Sequence, residues 1–219
     1  MSTNKAPLFV LAAAPTVQVE ITNFFSEESP IAKILKDPPY LRYMGWNMLT
    51  LDRPKLVGGN AWEVRNGDRK TFRFYRDGSF VSIVYADNSF LGWGQSEDVF
   101  KDNPRLNTLA VVEYVYEFVN LYINLLKNTE SQKEIRFELS FKNSKVGDKS
   151  IYLVPQKIND PFYGGSFIGQ GELKEDFEAH IITDVHMENV DTPKFIAFKI
   201  LEELFANFEI PSEKIPYTA

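Results

Sequence analysis

The segment 61–85, "AWEVRNGDRKTFRFYRDGSFVSIVY", places the strongest constraint on the fold of this chain. Two dipeptides, Asn66-Gly67 and Asp77-Gly78, separate three runs that are rich in aromatic and β-branched residues. Such dipeptides mark two-residue hairpin turns, because both central residues of the turn need a positive φ. The sequence therefore predicts a three-stranded antiparallel meander.

The turns also predict a register for the meander. In the first hairpin two of the facing pairs join opposite charges, which supports the register; they are Arg65 with Asp68 and Glu63 with Lys70, followed by Trp62 with Thr71. In the second hairpin two phenylalanines face aliphatic residues; the pairs are Phe74 with Val81 and Phe72 with Ile83.

Because side chains alternate between the two faces of a strand, this register predicts one core face and one mixed face. The core face is apolar and holds Ala61, Phe72, Phe74, Val81 and Ile83. The mixed face interleaves arginines with rings and holds Trp62, Val64, Arg69, Thr71, Arg73, Tyr75, Phe80, Ser82 and Val84.

The mixed face is the candidate binding site, at Trp62, Arg69, Arg73 and Tyr75. Guanidinium groups among rings can stack on bases or hold a phosphate or an acidic peptide. The alternative is that helices cover this face and the arginines lie along the rings or reach solvent at the rim.

The rest of the chain predicts further strands and three helices. Strands are expected at 7–14 and 16–22 and in "EIRFELSFKN", "SIYLVPQ" and "DFEAHIITDVHM". A short helix in "SEESPIAKILKD" has Ser29 as its cap and Pro30 in its first position. A long helix is expected from about Thr108 to Lys127, after the cap residue Asn107. It carries one narrow polar stripe, formed by Glu113, Glu117, Asn120, Asn124 and Lys127.

A C-terminal amphipathic helix is expected from about Pro193 to Phe208, capped by Thr192. Its predicted buried stripe contains Phe195, Phe198, Leu201, Leu204, Phe205 and Phe208. Strands grouped before helices favour an α+β fold, with antiparallel sheet and β-meanders beside the long central helix. We expect a single domain, 1–219, with possible subdomains at 1–128 and 129–219, because strands followed by a helix occur twice.

The charge and the cysteine count narrow the functional classes. The chain has a net charge of −6 and a sequence pI near 5.1, which disfavours direct binding to nucleic acid. It contains no cysteine, which excludes thiolate metal sites and cysteine nucleophiles and fits the reducing cytoplasm. Its long apolar helix includes Glu113 and Glu117, so we expect no membrane span.

Two patterns that resemble functional motifs have simpler explanations. Glu178, His180, Asp184 and His186 fall on one face of a predicted strand, but the two histidines lie about 20 Å apart along it, too far for one metal ion. The glycine-rich segment 163–172 lacks the lysine and the strand-to-helix context of a phosphate loop, and reads as a connecting loop. We therefore expect no metal, no cofactor and no catalytic residue.

Three segments carry a resemblance to a known family: "GWNMLTLDRPKLV" (45–57), "WEVRNGDRKTFRFYRDGSF" (62–80) and "FLGWGQSEDVFKDNPRLNTLAVVEYVYEF" (90–118). From about residue 38 to the C-terminal "FEIPSEKIPY", the chain resembles the region that follows the Schlafen-type AlbA domain, a DNA- or ATP-binding domain, in some bacterial proteins. The AlbA domain itself is not found in these 219 residues. The resemblance implies an accessory or sensing module and transfers no catalytic residue.

The resulting hypothesis is a non-enzymatic binding module that partners another protein or domain, such as a Schlafen-type AlbA protein that acts on nucleic acid. One alternative is an enzyme or binder for a small phosphorylated or nucleotide ligand, held by the 163–172 loop. Another is a structural subunit of a homo-oligomer, assembled through the 108–127 helix.

Overall fold

A computed structural model describes residues 6–17, 19, 21–41, 52–87, 90–92, 104–127, 134–154, 171–184 and 192–216. Over these ranges the chain is an α+β protein with three α-helices, one large antiparallel sheet and one smaller sheet. This confirms the predicted fold class, including the meander, the long central helix and the C-terminal helix.

The large sheet contains seven strands, which are β1 (Leu8–Pro15), β2 (Lys55–Val57), β3 (Ala61–Asn66), β4 (Lys70–Tyr75), β5 (Phe80–Tyr85), β7 (Glu134–Lys142) and β11 (Phe177–Asp184). Their spatial order is β11-β7-β1-β5-β4-β3-β2. The smaller sheet contains β6 (Arg105–Asn107), β8 (Lys145–Val146), β9 (Lys149–Val154) and β10 (Gly171–Leu173). Within it β6 runs parallel to β9.

The three helices are α1 (Pro30–Lys36), α2 (Thr108–Leu126) and α3 (Thr192–Asn207). Two of the three predicted side-chain caps, Ser29 and Asn107, are present, whereas Thr192 is the first residue of α3. The Ala32 amide donates to Ser29 Oγ at 3.1 Å, and the Leu109 amide donates to Asn107 Oδ1 at 3.0 Å. Each cap satisfies an amide that has no partner within the first turn of its helix.

Helix α2 lies against the middle of the large sheet through a stripe of rings at every fourth residue. Phe118 stacks on Phe80 of β5 with ring centroids 5.0 Å apart, and Tyr122 stacks on the same ring at 6.0 Å. The Tyr122 hydroxyl donates to the Gly78 carbonyl at 3.1 Å, and the Tyr114 hydroxyl is hydrogen-bonded to Ser82. We call the sheet face under α2 the inner face and the opposite one the outer face.

The apolar core is continuous across the two halves of the sequence. Phe9 and Phe141, from adjacent strands, lie on the inner face with ring centroids 6.2 Å apart, and Phe208, just beyond α3, meets Phe141 edge to face at 6.4 Å. Helix α2 also meets the length and composition criteria of a membrane span, but 78% of its most apolar window is buried within the protein. It therefore has the packing of a core helix.

The predicted hairpin registers are wrong, and both errors have the same cause. Asn66 pairs with Lys70 and Tyr75 bonds to Ser79, so each loop has three residues and not two. In the second loop Gly78 alone adopts a positive φ, of 82°, at the third position, as in a type I turn followed by a left-handed residue.

Both predicted registers are shifted from the observed ones by an odd number of residues. Such a shift moves side chains to the opposite face of the sheet. Trp62 was predicted to lie on the mixed face, but it pairs with Phe74 and lies in the core. Phe80 and Val84 are fully buried on the inner face, whereas Ile83, predicted to be core, is 39% exposed on the outer face. Val81 also lies on the outer face and is half-buried.

Two other expectations also need correction. The described residues of 16–22 form no strand, and Ile21 instead donates its amide to the Arg76 carbonyl. On α3 the buried stripe is rotated from the predicted one, so that Phe195 is 57% exposed while Ile196 and Ile200 are buried. The later part of the stripe, from Leu201 onward, is buried as predicted.

The observed register predicts unequal effects for two adjacent substitutions in β5. Phe80→Ala removes the ring on which α2 stacks and should lower the free energy of unfolding by about 3–5 kcal/mol. Val81→Ala, on the outer face, should cost less than about 1 kcal/mol. Urea denaturation of both variants measures the difference. A larger loss for Val81→Ala would contradict the register.

Candidate interaction surface on the outer sheet face

The outer face of the large sheet has an apolar centre, which is unusual for a face that none of the helices in the described ranges covers. Strand β1, next to the middle strand β5, has the sequence "LFVLAAAP", so its outward side chains are as apolar as its inward ones. Val10 and Ala12 lie beside Ile83 and Val81 of β5, in register across the sheet. Val10, Ala12 and Val81 are half-buried, and Ile83 is exposed. A one-sided antiparallel sheet normally alternates apolar and polar residues, so this centre is a departure.

A cluster of charged groups borders one side of this apolar centre. Glu63 on β3 accepts two hydrogen bonds from Arg65, from Nε to Oε1 at 2.6 Å and from Nη2 to Oε2 at 3.2 Å. Arg73 on β4 donates from Nε to the same Oε2 atom at 2.5 Å. The Glu63 side chain is only 9% exposed, whereas the two arginines are 52% and 41% exposed. One carboxylate thus orients two guanidinium groups toward solvent.

Electrostatics keep the Glu63 carboxylate ionised. Burial would raise the pKa of Glu63, but the hydrogen bonds and charges of Arg65 and Arg73 outweigh it and lower the pKa below its usual value. Arg73 is also hydrogen-bonded to Tyr75, and these bonds to Glu63 and Tyr75 raise the pKa of Arg73. The cluster is therefore a fixed set of charges at neutral pH.

The structure separates the four residues of the predicted site. Arg73 and Tyr75 lie on the outer face, and Arg69 is exposed in the loop before β4, where its carbonyl accepts the Tyr85 amide. Trp62 does not join them, because its ring is buried on the inner face and its Nε1 donates to the Phe24 carbonyl at 2.6 Å. Three of the four residues share a surface, and the indole is part of the core.

Glu63 and Arg65 also belong to this surface, although the sequence pattern did not predict them there. The predicted register paired them with Lys70 and Asp68, and so hid the fact that Glu63 lies directly across from Arg73. The alternation of charge along "EVR" was the available signal, since it places Glu63 and Arg65 on one side of a strand whose other side carries Trp62 and Val64.

A second charged group borders the apolar centre on the other side. On β7 Arg136 and Glu138 form an ion pair at 2.7 Å. On β11 His180 lies 3.5 Å from Glu138 and 3.2 Å from Glu178. His180 thus belongs to a solvated polar cluster. No group of three or more metal-ligating side chains occurs among the described residues, and His186 and most of the 163–172 loop lie outside them.

The polar stripe of α2 holds two carboxylates that are buried. Glu113 and Glu117 are 1% and 0% exposed, and neither Glu117 oxygen has a hydrogen-bond partner among the described residues. Burial, with a contribution from the Glu113 charge, raises the pKa of Glu117 to about 8. Glu117 is therefore largely protonated at neutral pH, since a neutral acid is far less costly to bury than an anion.

Lys70 is a buried amine on the inner face. It is 2% exposed, and its Nζ lies 5.5 Å from the centre of the Phe90 ring. Desolvation lowers the pKa of Lys70 to about 7. The amine thus lies in the core of the protein, over the face of an aromatic ring.

Comparisons with known proteins add no family to this picture: no family model, no curated protein and no solved structure matches the chain.

The Glu63 cluster predicts a pH-dependent loss of stability. Glu63→Gln removes the charge that both arginines share, and should lower the free energy of unfolding at pH 7 by about 1–2 kcal/mol, an amount limited by the exposure of the arginines. The folded-state pKa lies below the unfolded value of 4.5, so this contribution is present above pH 4.5 and lost as the pH falls through the folded pKa. Urea denaturation at several pH values measures it, with the exposed Glu175→Gln as control. Equal stability of the two variants at pH 7 would contradict it.

The buried carboxylate on α2 predicts the opposite slope. The folded-state pKa of Glu117 is about 8 and its unfolded value 4.5, so its contribution to stability is complete below pH 4.5 and lost as the pH rises toward 8. Glu117→Gln should flatten this decline and stabilise the protein at pH 8, by up to about 1.4 kcal/mol per pKa unit that is relieved. Thermal melts from pH 5 to 8 test it against Glu203→Gln, on the exposed side of α3. An unchanged slope would show that the carboxylate is ionised in the fold.

Proposed function

We propose that this protein is a non-enzymatic interaction module, which binds another folded protein surface through the outer face of its large sheet and acts in the cytoplasm. The observation that carries the proposal is the apolar centre of that face, formed by β1 and β5 and bordered by charged groups on both sides. An accessible apolar patch with a polar rim is typical of protein–protein contact sites.

The chemistry of the border favours a protein over a nucleic acid. Arg65 and Arg73 share the carboxylate of Glu63, so part of their charge is already neutralised. A phosphate backbone binds best to a surface with a strong positive field, and the whole chain carries a net charge of −6. Partly neutralised arginines beside apolar residues are well suited to the rim of a protein interface, where charge sets orientation.

The resemblance to the region after Schlafen-type AlbA domains is compatible with this role. It implies an accessory module, and an outer face for docking is what such a module requires. Whether the partner acts on nucleic acid stays a prediction. The alternative of a nucleotide ligand depends on the loop 163–172, most of which lies outside the described residues.

The proposal predicts that one outer-face substitution abolishes partner capture. Ile83→Lys places a charge in the apolar centre at a position that is already 39% exposed, so the fold should survive. After crosslinking in cells and affinity purification of the tagged chain, proteins captured by the wild type, including copies of the chain itself, should be lost with Ile83→Lys. Quantitative mass spectrometry measures this.

The matched control is Phe195→Lys, because Phe195 is a large apolar residue, 57% exposed, on α3 and away from the outer face. It should retain the partners. Identical partners for all three proteins would overturn the proposal. A rise in melting temperature with a nucleotide, about 2.7 kcal/mol of stabilisation at 100 times the dissociation constant, would favour the alternative.

A further inference from the structure

Two rows of outer-face residues cross six strands of the large sheet in register. The first row runs from β11 to β3 as Glu178, Ser140, Val10, Ile83, Thr71 and Arg65. The second row runs in the same direction as His180, Glu138, Ala12, Val81, Arg73 and Glu63. In both rows the two middle residues are apolar and come from β1 and β5, and the charged residues lie toward the ends.

The two borders differ in their balance of charge. On the outer face of β2, β3 and β4, the described strand residues include three cations and one carboxylate, which are Lys55, Arg65, Arg73 and Glu63. On β7 and β11 the described side chains include two cations and three carboxylates, which are Arg136, Lys142, Glu134, Glu138 and Glu178. By these side chains, one border is positive and the other slightly negative.

We propose that the partner of this face is a second copy of the same chain, in a two-fold dimer. The two-fold axis lies between the two facing sheets, parallel to β1 and β5 and above the line that separates them. This inference rests on the proposed function and names its partner. When two identical sheets meet face to face about such an axis, each row meets itself in reverse order. The positive border of one copy then lies over the negative border of the other.

The reversed rows match in charge. In the first row Arg65 of one copy faces Glu178 of the other, and Ile83 faces Val10. In the second row Arg73 faces Glu138. Each charged pair occurs twice, because the interface is isologous. An axis perpendicular to the strands would instead set each border against itself, so the charge pattern selects one arrangement.

The same axis extends the apolar contact along the strands. Leu8 and Tyr85 are paired neighbours on the outer face, and the axis sets each against the other in the second copy. It also brings Lys142 of one copy toward Arg69 of the other. Both side chains are exposed at the rim, where like charges stay hydrated and cost little.

The area of the face suits a weak, reversible dimer. Six strands about 4.8 Å apart, with several residues of about 3.4 Å each, give a face on the order of 500 Å² in plan. Two copies would bury on the order of 1,000 Å², which is the lower limit for a specific interface. The strands of aligned packed sheets cross at about 30°, so the central rows make the closest contacts.

The first experiment is sedimentation velocity of the purified full chain at pH 7, from micromolar to millimolar concentration. We expect a monomer–dimer equilibrium. Ile83→Lys should be monomeric throughout, and Phe195→Lys should dimerise as the wild type does. A wild type that is monomeric at every concentration would overturn the dimer. So would a dimer that is unaffected by Ile83→Lys.

A charge exchange tests the arrangement of the two copies. Arg65→Glu and Glu178→Arg should each raise the dimer dissociation constant about tenfold, because each sets like charges against one another. The variant that carries both changes should recover most of the wild-type affinity. Both side chains are about half exposed, so the fold should tolerate the changes. Failure of the double variant to recover would overturn the proposed axis.

These results separate the dimer from the proposed function. A chain that is monomeric in solution, yet captures a different protein in an Ile83-dependent way, would overturn the dimer and leave the interaction module standing. A chain that neither dimerises nor loses any partner on Ile83→Lys would overturn both.

Discussion

The stacking of α2 on Phe80 is the interaction on which the rest of the fold depends. Phe80 lies in β5, the middle strand of the large sheet, and it contacts rings from both its own sheet and the helix. Tyr122 is placed on the same stack and anchors its hydroxyl to the loop before β5. The helix is thereby fixed in rotation as well as position, because turning it would break the stack and the hydrogen bond together.

That fixed rotation has a cost on the other side of α2. Because Tyr114, Phe118 and Tyr122 lie against the sheet, the orientation of the polar stripe on the same helix is fixed as well. Its carboxylates Glu113 and Glu117 are buried as a result. Glu117 has no hydrogen-bond partner in the described part of the chain, so it is tolerated as the neutral acid, and its raised pKa expresses that cost. The aromatic stack therefore outweighs a penalty of a few kcal/mol, which is of the order expected for burying several large rings.

The sequence predicted the elements well and their pairing poorly. The long helix, its Asn107 cap and the seven-residue helix after Ser29 depend on local signals, and local signals are sufficient for them. The hairpin registers depend on loop length, and Asn-Gly or Asp-Gly is compatible with loops of two or three residues. The choice lies in which face of β5 is buried. Because "FVSIVY" is apolar on both faces, its pattern could not decide the question.

The same two-sided apolarity links the error in the register to the candidate surface. A sheet with a polar outer face would have revealed its register through simple alternation, as charged residues do on β7. In β1 and β5 the alternation is missing because the outward side chains are apolar too, and folding of a single chain buries them only in part. Burial against the inner core explains Phe9 and Phe80, but it leaves Val10 and Ile83 without a structural reason in the monomer. Contact with a second surface, as proposed, would supply that reason, and the opposed charges of the two borders favour a second copy of the chain as that surface.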